Sequence, residues 1–172
     1  MPLGIVKNYG GWQSKKTIDL YLRYCEAIFN RYKGKVKYWK TFNEINFCRD
    51  YTNLGITNAK SDEAKVEQSV WHLLVAAAKT VIIGHEVDPN NMVGMMINEN
   101  WIYPEDCNPQ AAWEAVVQMR ARQFYVDVQC TGKYPTWKEK ELERLREQNK
   151  RQKENNRMAI MMRAEEKRRQ ME

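Results

Sequence analysis

Tyr38-Trp39-Lys40-Thr41-Phe42-Asn43-Glu44-Ile45-Asn46 is the stretch that decides the fold. Residues 36–42 are β-branched, aromatic and otherwise apolar apart from Lys37 and Lys40, a composition that reads as a strand. An amide, Asn43, and an acid, Glu44, stand at its carboxyl end. In sheets of parallel strands, the polar groups at strand carboxyl ends are the ones that do chemistry. A carboxyl there can give a proton to a leaving group, and an amide beside it can hold a substrate hydroxyl. Read from the residues alone, the same pair is the solvated end of an ordinary strand.

The flanking sequence alternates. Upstream, Ser14 reads as an N-cap. Ile18, Tyr21, Leu22, Cys25, Ile28, Phe29 and Tyr32 follow at helical spacing, and Gly34 suits the helix end. Downstream, residues 47–60 read as a loop. A second helix is expected from Ser61, with Val66, Val70, Leu73, Leu74, Ala77 and Val81 as its apolar stripe, ended by Gly84 and Pro89. Residues 92–97 read as a buried strand with Asn98-Glu99-Asn100 at its carboxyl end. Asn108-Pro109 opens a third helix through Trp113, Val116, Val117 and Met119 toward Phe124, and Gly132 and Pro135 close it. Helices and strands in alternation predict an α/β fold with parallel strands joined by helical crossovers.

The chain has 172 residues and a formal net charge of +6. That length suits one domain with a sizeable core. The charge is uneven. Residues 138–172 hold 12 Lys and Arg against 8 Asp and Glu, and the rest of the chain is nearly balanced. This tail has no Gly or Pro and only a broken apolar face, Leu142, Leu145, Met158, Ile160, Met161 and Met162. It predicts a long solvated helix without a sustained heptad. Acidic residues interleave with its basic ones and no aromatic follows Trp137, so it lacks the one-sign stripe and stacking platforms of a nucleic-acid arm. The most apolar stretch, residues 70–83, is interrupted by His72 and Lys79 and reads as too short and too polar to span a bilayer. The N-terminus shows no signal peptide pattern. Cys25, Cys48, Cys107 and Cys130 form no CxxC pair, which predicts reduced, mostly buried thiols in a cytoplasmic protein.

Several separated motifs carry a resemblance. YWKTFNEIN, residues 38–46, resembles the acid/base motif of family 1 of the glycoside hydrolases. Ile45-Asn46 after the acid, where the family more commonly has Pro, is similar to the branch that cleaves 6-phospho-β-glucosides. MPLGIVKNYGGW, KTIDLYLRYCEAIFNRYKGKVKYW, IYPEDCNP and FYVDVQCTGKYP resemble other segments of the same enzymes, in the same order. The resemblance covers about residues 1–137. It implies part of a (β/α)8 TIM barrel, residues 1–137, beginning past the third strand and carrying the fourth and fifth, with residues 138–172 as a charged helical tail. A complete barrel takes about 250 residues.

The resemblance also implies roles. Glu44 is the acid/base, and Asn43 contacts the hydroxyl next to the reacting carbon. The substrate is a phosphorylated β-glucoside, and no cofactor or metal takes part. No segment resembling the nucleophile motif or the phosphate-gripping segment is found. Glu99 follows the next strand and faintly echoes the nucleophile motif, but its surroundings resemble the fifth strand, where the family has no nucleophile. It is read as a loop acid, with Asn98 as a cleft-lining residue. His72 and His85 have no ligand partners at metal spacing and read as a core or surface histidine. Trp39 is expected in the core, and Trp101 in the core rather than in a sugar-stacking wall. The expectation is therefore a 6-phospho-β-glucosidase-like chain, inactive in isolation. The alternative is a non-catalytic structural piece from a truncated gene that self-associates through exposed strand edges.

Overall fold

The computed structural model describes residues 1–49, 51–55 and 63–169, arranged as two compact units, residues 1–133 and 134–172. The first unit is a mostly helical α/β arrangement. Its elements are α1 (Leu3–Tyr9), α2 (Lys15–Arg31), β1 (Tyr38–Lys40), α3 (Tyr51–Leu54), α4 (Glu63–Val87), β2 (Met92–Gly94) and α5 (Pro109–Thr131). The helix start expected at Ser61 lies outside the described residues, and the stretch 47–60 expected as a loop carries the short helix α3.

Helix starts follow local chemistry. The Ser14 hydroxyl accepts from the Lys16 amide at 3.3 Å and caps α2. The Asn108 carboxamide accepts from the Gln110 amide at 2.9 Å ahead of Pro109. Gly132, at φ 69°, ends α5 in the left-handed region that costs glycine least. α5 thus continues past Phe124 to Thr131.

Helix α4 does not stop at Gly84. It runs on to Val87, because Gly84 serves contact rather than termination. A Cβ there would meet Val93 Cγ2 at 2.8 Å and the Phe29 ring at 3.2 Å. The missing side chain is what lets α4 lie against β2 and α2. Cys25 and Thr80 meet where α2 and α4 cross. Val66, Val70, Leu73, Leu74, Ala76 and Ala77 are buried along α4. By length and composition the segment Lys65–Val87 could cross a membrane, contrary to the sequence reading, yet 44% of it is buried inside the fold. Its apolar side chains are those of a core helix.

The two strands are parallel and joined through α4, with Tyr38 opposite Met92, Trp39 opposite Val93 and Lys40 opposite Gly94. Both are shorter than residues 36–42 and 92–97 suggested. A ladder lasts only while two main chains face each other. Here it ends with Thr41 N–H donating to Gly94 O at 3.1 Å. One face of the sheet packs on the helices: Trp39 meets Phe29 edge-on at 4.9 Å. The Trp39 indole N–H donates to Asn91 Oδ1 at 3.0 Å, and Asn91 in turn donates to Gly84 O at 2.9 Å. The opposite face is bare, with Tyr38 74% and Met92 57% exposed.

The expectation of mostly buried thiols holds for Cys25 and Cys48 only; Cys107 and Cys130 are at the surface, and none of the four is in a disulfide. The second unit is one helix, α6 (Thr136–Arg169). Its Lys138 and Glu141 pair at 3.1 Å, and Met158, Ile160, Met161 and Met162 face solvent.

Candidate active site

The main chain leaves β1 at Lys40 and is caught at once by side chains from α2. The Tyr21 hydroxyl donates to Thr41 O at 2.6 Å. The Phe42 ring stacks on Tyr21 with centroids 4.7 Å apart and meets Trp12 edge-on at 5.5 Å. Burial within this cluster holds the Tyr21 hydroxyl well above its usual range and pushes the Cys25 thiol beside it up. Behind Trp12, its carbonyl takes a hydrogen bond from His72 Nδ1 at 2.6 Å, while His72 Nε2 meets Gln68. His72 is thus a satisfied core histidine, and His85 is exposed.

Glu44 is the only described non-glycine residue at positive φ, 47° with ψ 54°. An L residue there is disfavoured by Cβ crowding and is held in place only by its surroundings. Those surroundings are identifiable. Ile45, 1% exposed, anchors a 3-10 turn over Ile45–Phe47. Phe47 N–H donates to Glu44 O at 2.8 Å. The Cys48 thiol reaches both Asn43 O and Glu44 O at 3.5 Å. Arg49 closes the segment in an ion pair with Glu67 at 2.8 Å and a hydrogen bond with Tyr125 of α5. Burial raises the Tyr125 phenol, and Arg49 partly offsets that rise.

The Glu44 side chain is half-buried, and among the described residues its carboxylate makes no hydrogen bond or ion pair. Asn43 is exposed, and its Oδ1 accepts from Lys40 Nζ at 3.3 Å. That leaves the amide N–H groups to donate outward. Lys40 Nζ also lies 3.3 Å from Met96 Sδ. The arrangement presents one carboxyl and one amide donor side by side at a strand end.

Asn98 and Glu99 lie beyond β2 in irregular chain. Asn46 Nδ2 donates to Asn98 O at 2.8 Å, and Asn98 N–H donates to Asn46 Oδ1 at 3.2 Å. Glu99 is half-buried, and its Oε2 is buried with no hydrogen-bond partner among the described residues. Trp101 is not in the core. It is 65% exposed, because the chain around it stands off the packed unit, tied by Arg122 donating to Asn100 O at 2.8 Å. A cavity of about 440 Å³ between Ile102, Pro104 and α5 contains neither Asn43 nor Glu44. Among the described residues no three His, Cys, Asp or Glu side chains gather as metal ligands. The sequence reading used Asn46 only as a family marker and did not single out Tyr21, Lys40 or Cys48 for this turn. Their bonds to it follow from strand register and helix placement, which a linear pattern does not contain.

Residues 1–169 match the family described as Glycosyl hydrolase family 1. The match runs past Trp137 into the tail. The chain is 40% identical over 153 residues to aryl-phospho-beta-D-glucosidase BglA of Bacillus subtilis (strain 168), covering 84% of this chain and 32% of that protein. It is 42% identical over 137 residues to the phospho-cellobiase of Klebsiella oxytoca, covering 78% and 29%. It is 37% identical over 142 residues to the 6-phospho-beta-glucosidase AscB of Escherichia coli (strain K12), covering 80% and 30%. The chain thus spans about a third of the length of these relatives. Among solved structures, the AHE enzyme from Alicyclobacillus herbarius is similar with a TM-score of 0.58 at 17% identity, covering 71% of this chain and 28% of that one. At that identity the likeness speaks for the fold alone.

Proposed function

This chain belongs to glycosyl hydrolase family 1, and we propose that it carries the acid/base half of a retaining 6-phospho-β-glucosidase site. The observation that supports this most directly is the position of Glu44: half-buried, just past the carboxyl end of β1, with the exposed Asn43 carboxamide beside it. Glu44 protonates the departing glycosidic oxygen and later takes a proton from the water that attacks the glycosyl-enzyme intermediate. Asn43 holds the hydroxyl next to the reacting carbon. The substrate class follows the phospho-β-glucosidase names of the relatives, and the chemistry needs no cofactor. In this reading residues 1–137 are part of a (β/α)8 barrel in a cytoplasmic enzyme, with β1 and β2 as its fourth and fifth strands. Residues 138–172 are a charged tail.

Retention needs a second carboxyl about 5–5.5 Å from the first. Glu99 does not take that part, and the chain in isolation has no meaningful turnover. An assay of the purified chain on a chromogenic 6-phospho-β-glucoside should give no release of aglycone above buffer. Release that disappears in Glu44→Gln would overturn the inactivity. The acid role itself is tested in a chimera, with this chain replacing the matching 29% of the Klebsiella oxytoca phospho-cellobiase. Unchanged turnover in its Glu44→Gln variant would sink the assignment.

The bare sheet face supports a second reading. Tyr38 and Met92 sit opposite each other and exposed. Unpaired strand edges and apolar faces invite association, so the isolated chain self-associates. Light scattering across a concentration series should show mass rising with concentration; a constant monomer mass would exclude it.

A further inference from the structure

We propose that Asn46 is a positioning residue: its carboxamide takes up the main-chain groups of Asn98, left without their ladder bonds where the chain leaves the strand at Glu44, and so fixes the acid relative to the end of β2. The inference rests on the reading of Glu44 as the acid/base. The strand register carries the argument. Tyr38, Trp39 and Lys40 stand opposite Met92, Val93 and Gly94. Carried forward residue by residue, the same register sets Glu44 opposite Asn98. In a parallel ladder the groups of Asn98 would bond Asn43 O and Ile45 N–H on either side of Glu44, just as Gly94 O accepts from Thr41 N–H beside Lys40. Among the described residues neither bond forms, because the main chain turns into the left-handed region at Glu44. The two main-chain groups of Asn98 are instead taken by one side chain. Asn46 Nδ2 donates to Asn98 O at 2.8 Å, and Asn46 Oδ1 accepts from Asn98 N–H at 3.2 Å.

An asparagine carboxamide offers one acceptor and two donors in the plane of a peptide group, so it can close both bonds at once. Aspartate at this position keeps the acceptor but, when ionised, has no donor. A single residue separates Glu44 from Asn46. Between them Ile45 is buried, so the turn has little room to move while the carboxamide holds. A second bridge runs alongside, from Lys40 Nζ to Asn43 Oδ1 and Met96 Sδ. Past the last ladder bond, side chains thus join the two strand ends, and the disfavoured conformation at Glu44 is held by that join.

The test is NMR on the full chain, following amide exchange at Asn98 and the Glu44 Cα shift. In Asn46→Ala the Asn98 amide loses its protection and the Glu44 Cα shift moves toward the unfolded-chain value. In Asn46→Asp the Asn98 amide stays protected and the Glu44 shift moves only part way. This variant keeps the test decisive if the alanine variant does not fold. Asn91→Ala, which cuts side-chain bonds at the other end of the same sheet, lowers the melting temperature and leaves the Glu44 shift in place. An unchanged Glu44 shift in Asn46→Ala overturns the proposal, whether or not Asn98 loses protection. An Asn46→Asp spectrum identical to the parent overturns it too. Neither readout involves turnover, so failure here is separate from failure of Glu44 as the acid, which the chimera decides.

Discussion

The chain carries the same dipeptide at two neighbouring strand ends, Asn43-Glu44 after β1 and Asn98-Glu99 after β2, and the two meet different fates. At the first, the Asn43 and Glu44 carbonyls are both occupied, while the carboxylate is half-buried and unbonded among the described residues. At the second, the Asn98 main chain is tied down and a Glu99 carboxyl oxygen is buried with no partner among the described residues. Residue type does not separate the two half-buried acids, of which Glu99 has one carboxyl oxygen fully buried. The difference lies in what the main chain does just past the strand. A left-handed turn takes the main chain out of the ladder at Glu44, whereas the Asn98 main chain is held by the Asn46 side chain. A buried carboxyl oxygen without a partner costs free energy, which sets Glu99 apart from a solvated loop acid.

The largest effect should distinguish the two acids directly. In the phospho-cellobiase chimera, Glu44→Gln should lower kcat by roughly 10²–10⁴, the range for losing a general acid/base. Glu99→Gln should leave kcat unchanged. Steady-state rates on an aryl 6-phospho-β-glucoside measure both, and equal losses would erase the distinction.

Next comes the ladder that feeds both ends. Gly84→Ala forces a Cβ against Val93 and Phe29. Overpacking of this kind costs about 1–3 kcal/mol, read by urea denaturation of the full chain. A neutral result would mean that β2 can shift away from α4 without strain.

Tyr21→Phe removes the hydroxyl that holds Thr41 O at the β1 end only. It should cost about 1 kcal/mol at neutral pH and change the response to alkali. Burial holds Cys25 and Tyr21 neutral in the fold, above their ordinary values near 9 and 10. Unfolded, they release their protons at those ordinary values. The unfolded chain therefore binds fewer protons above pH 9, and stability that is complete below that pH falls as pH rises. Thermal melts should hold steady up to about pH 9 and then decline, and Tyr21→Phe should soften the decline above about pH 10. A flat profile would mean that these groups ionise freely in the folded state.

The smallest effect is expected far from either acid. Ile160 on α6 is 66% exposed, and Ile160→Gln should change stability by no more than about 0.5 kcal/mol in the same denaturation assay.

Much of this was legible in the linear sequence, because it rests on contacts within a few residues. Ser14 and Asn108 cap the helices they were expected to cap, Gly132 closes α5, and the alternation of helices with two strands holds. The motif around Glu44 led to the same family that residues 1–169 match. Misreadings fell where a distant partner decides. Gly84 reads as a helix stop until Phe29 and Val93 are seen against it. Trp101 reads as core by its apolarity, but nothing in the sequence says which segments stand off the packed unit. The strands read longer than they are, since hydropathy marks the run and only a facing main chain makes the ladder.

What the sequence determined by itself was therefore the order and type of the long helices and the two strands between them, the family, and the pairing of an amide with an acid past the first strand. Tertiary structure alone decided that Glu44 turns out of the strand, that Asn46 rather than a main chain holds Asn98, and that Glu99 is partly buried. The physical reason is distance along the chain. Caps and turns are settled by neighbours a few residues away. Strand register joins residues some fifty positions apart, and it exists only once α4 has packed on α2 and brought β2 beside β1.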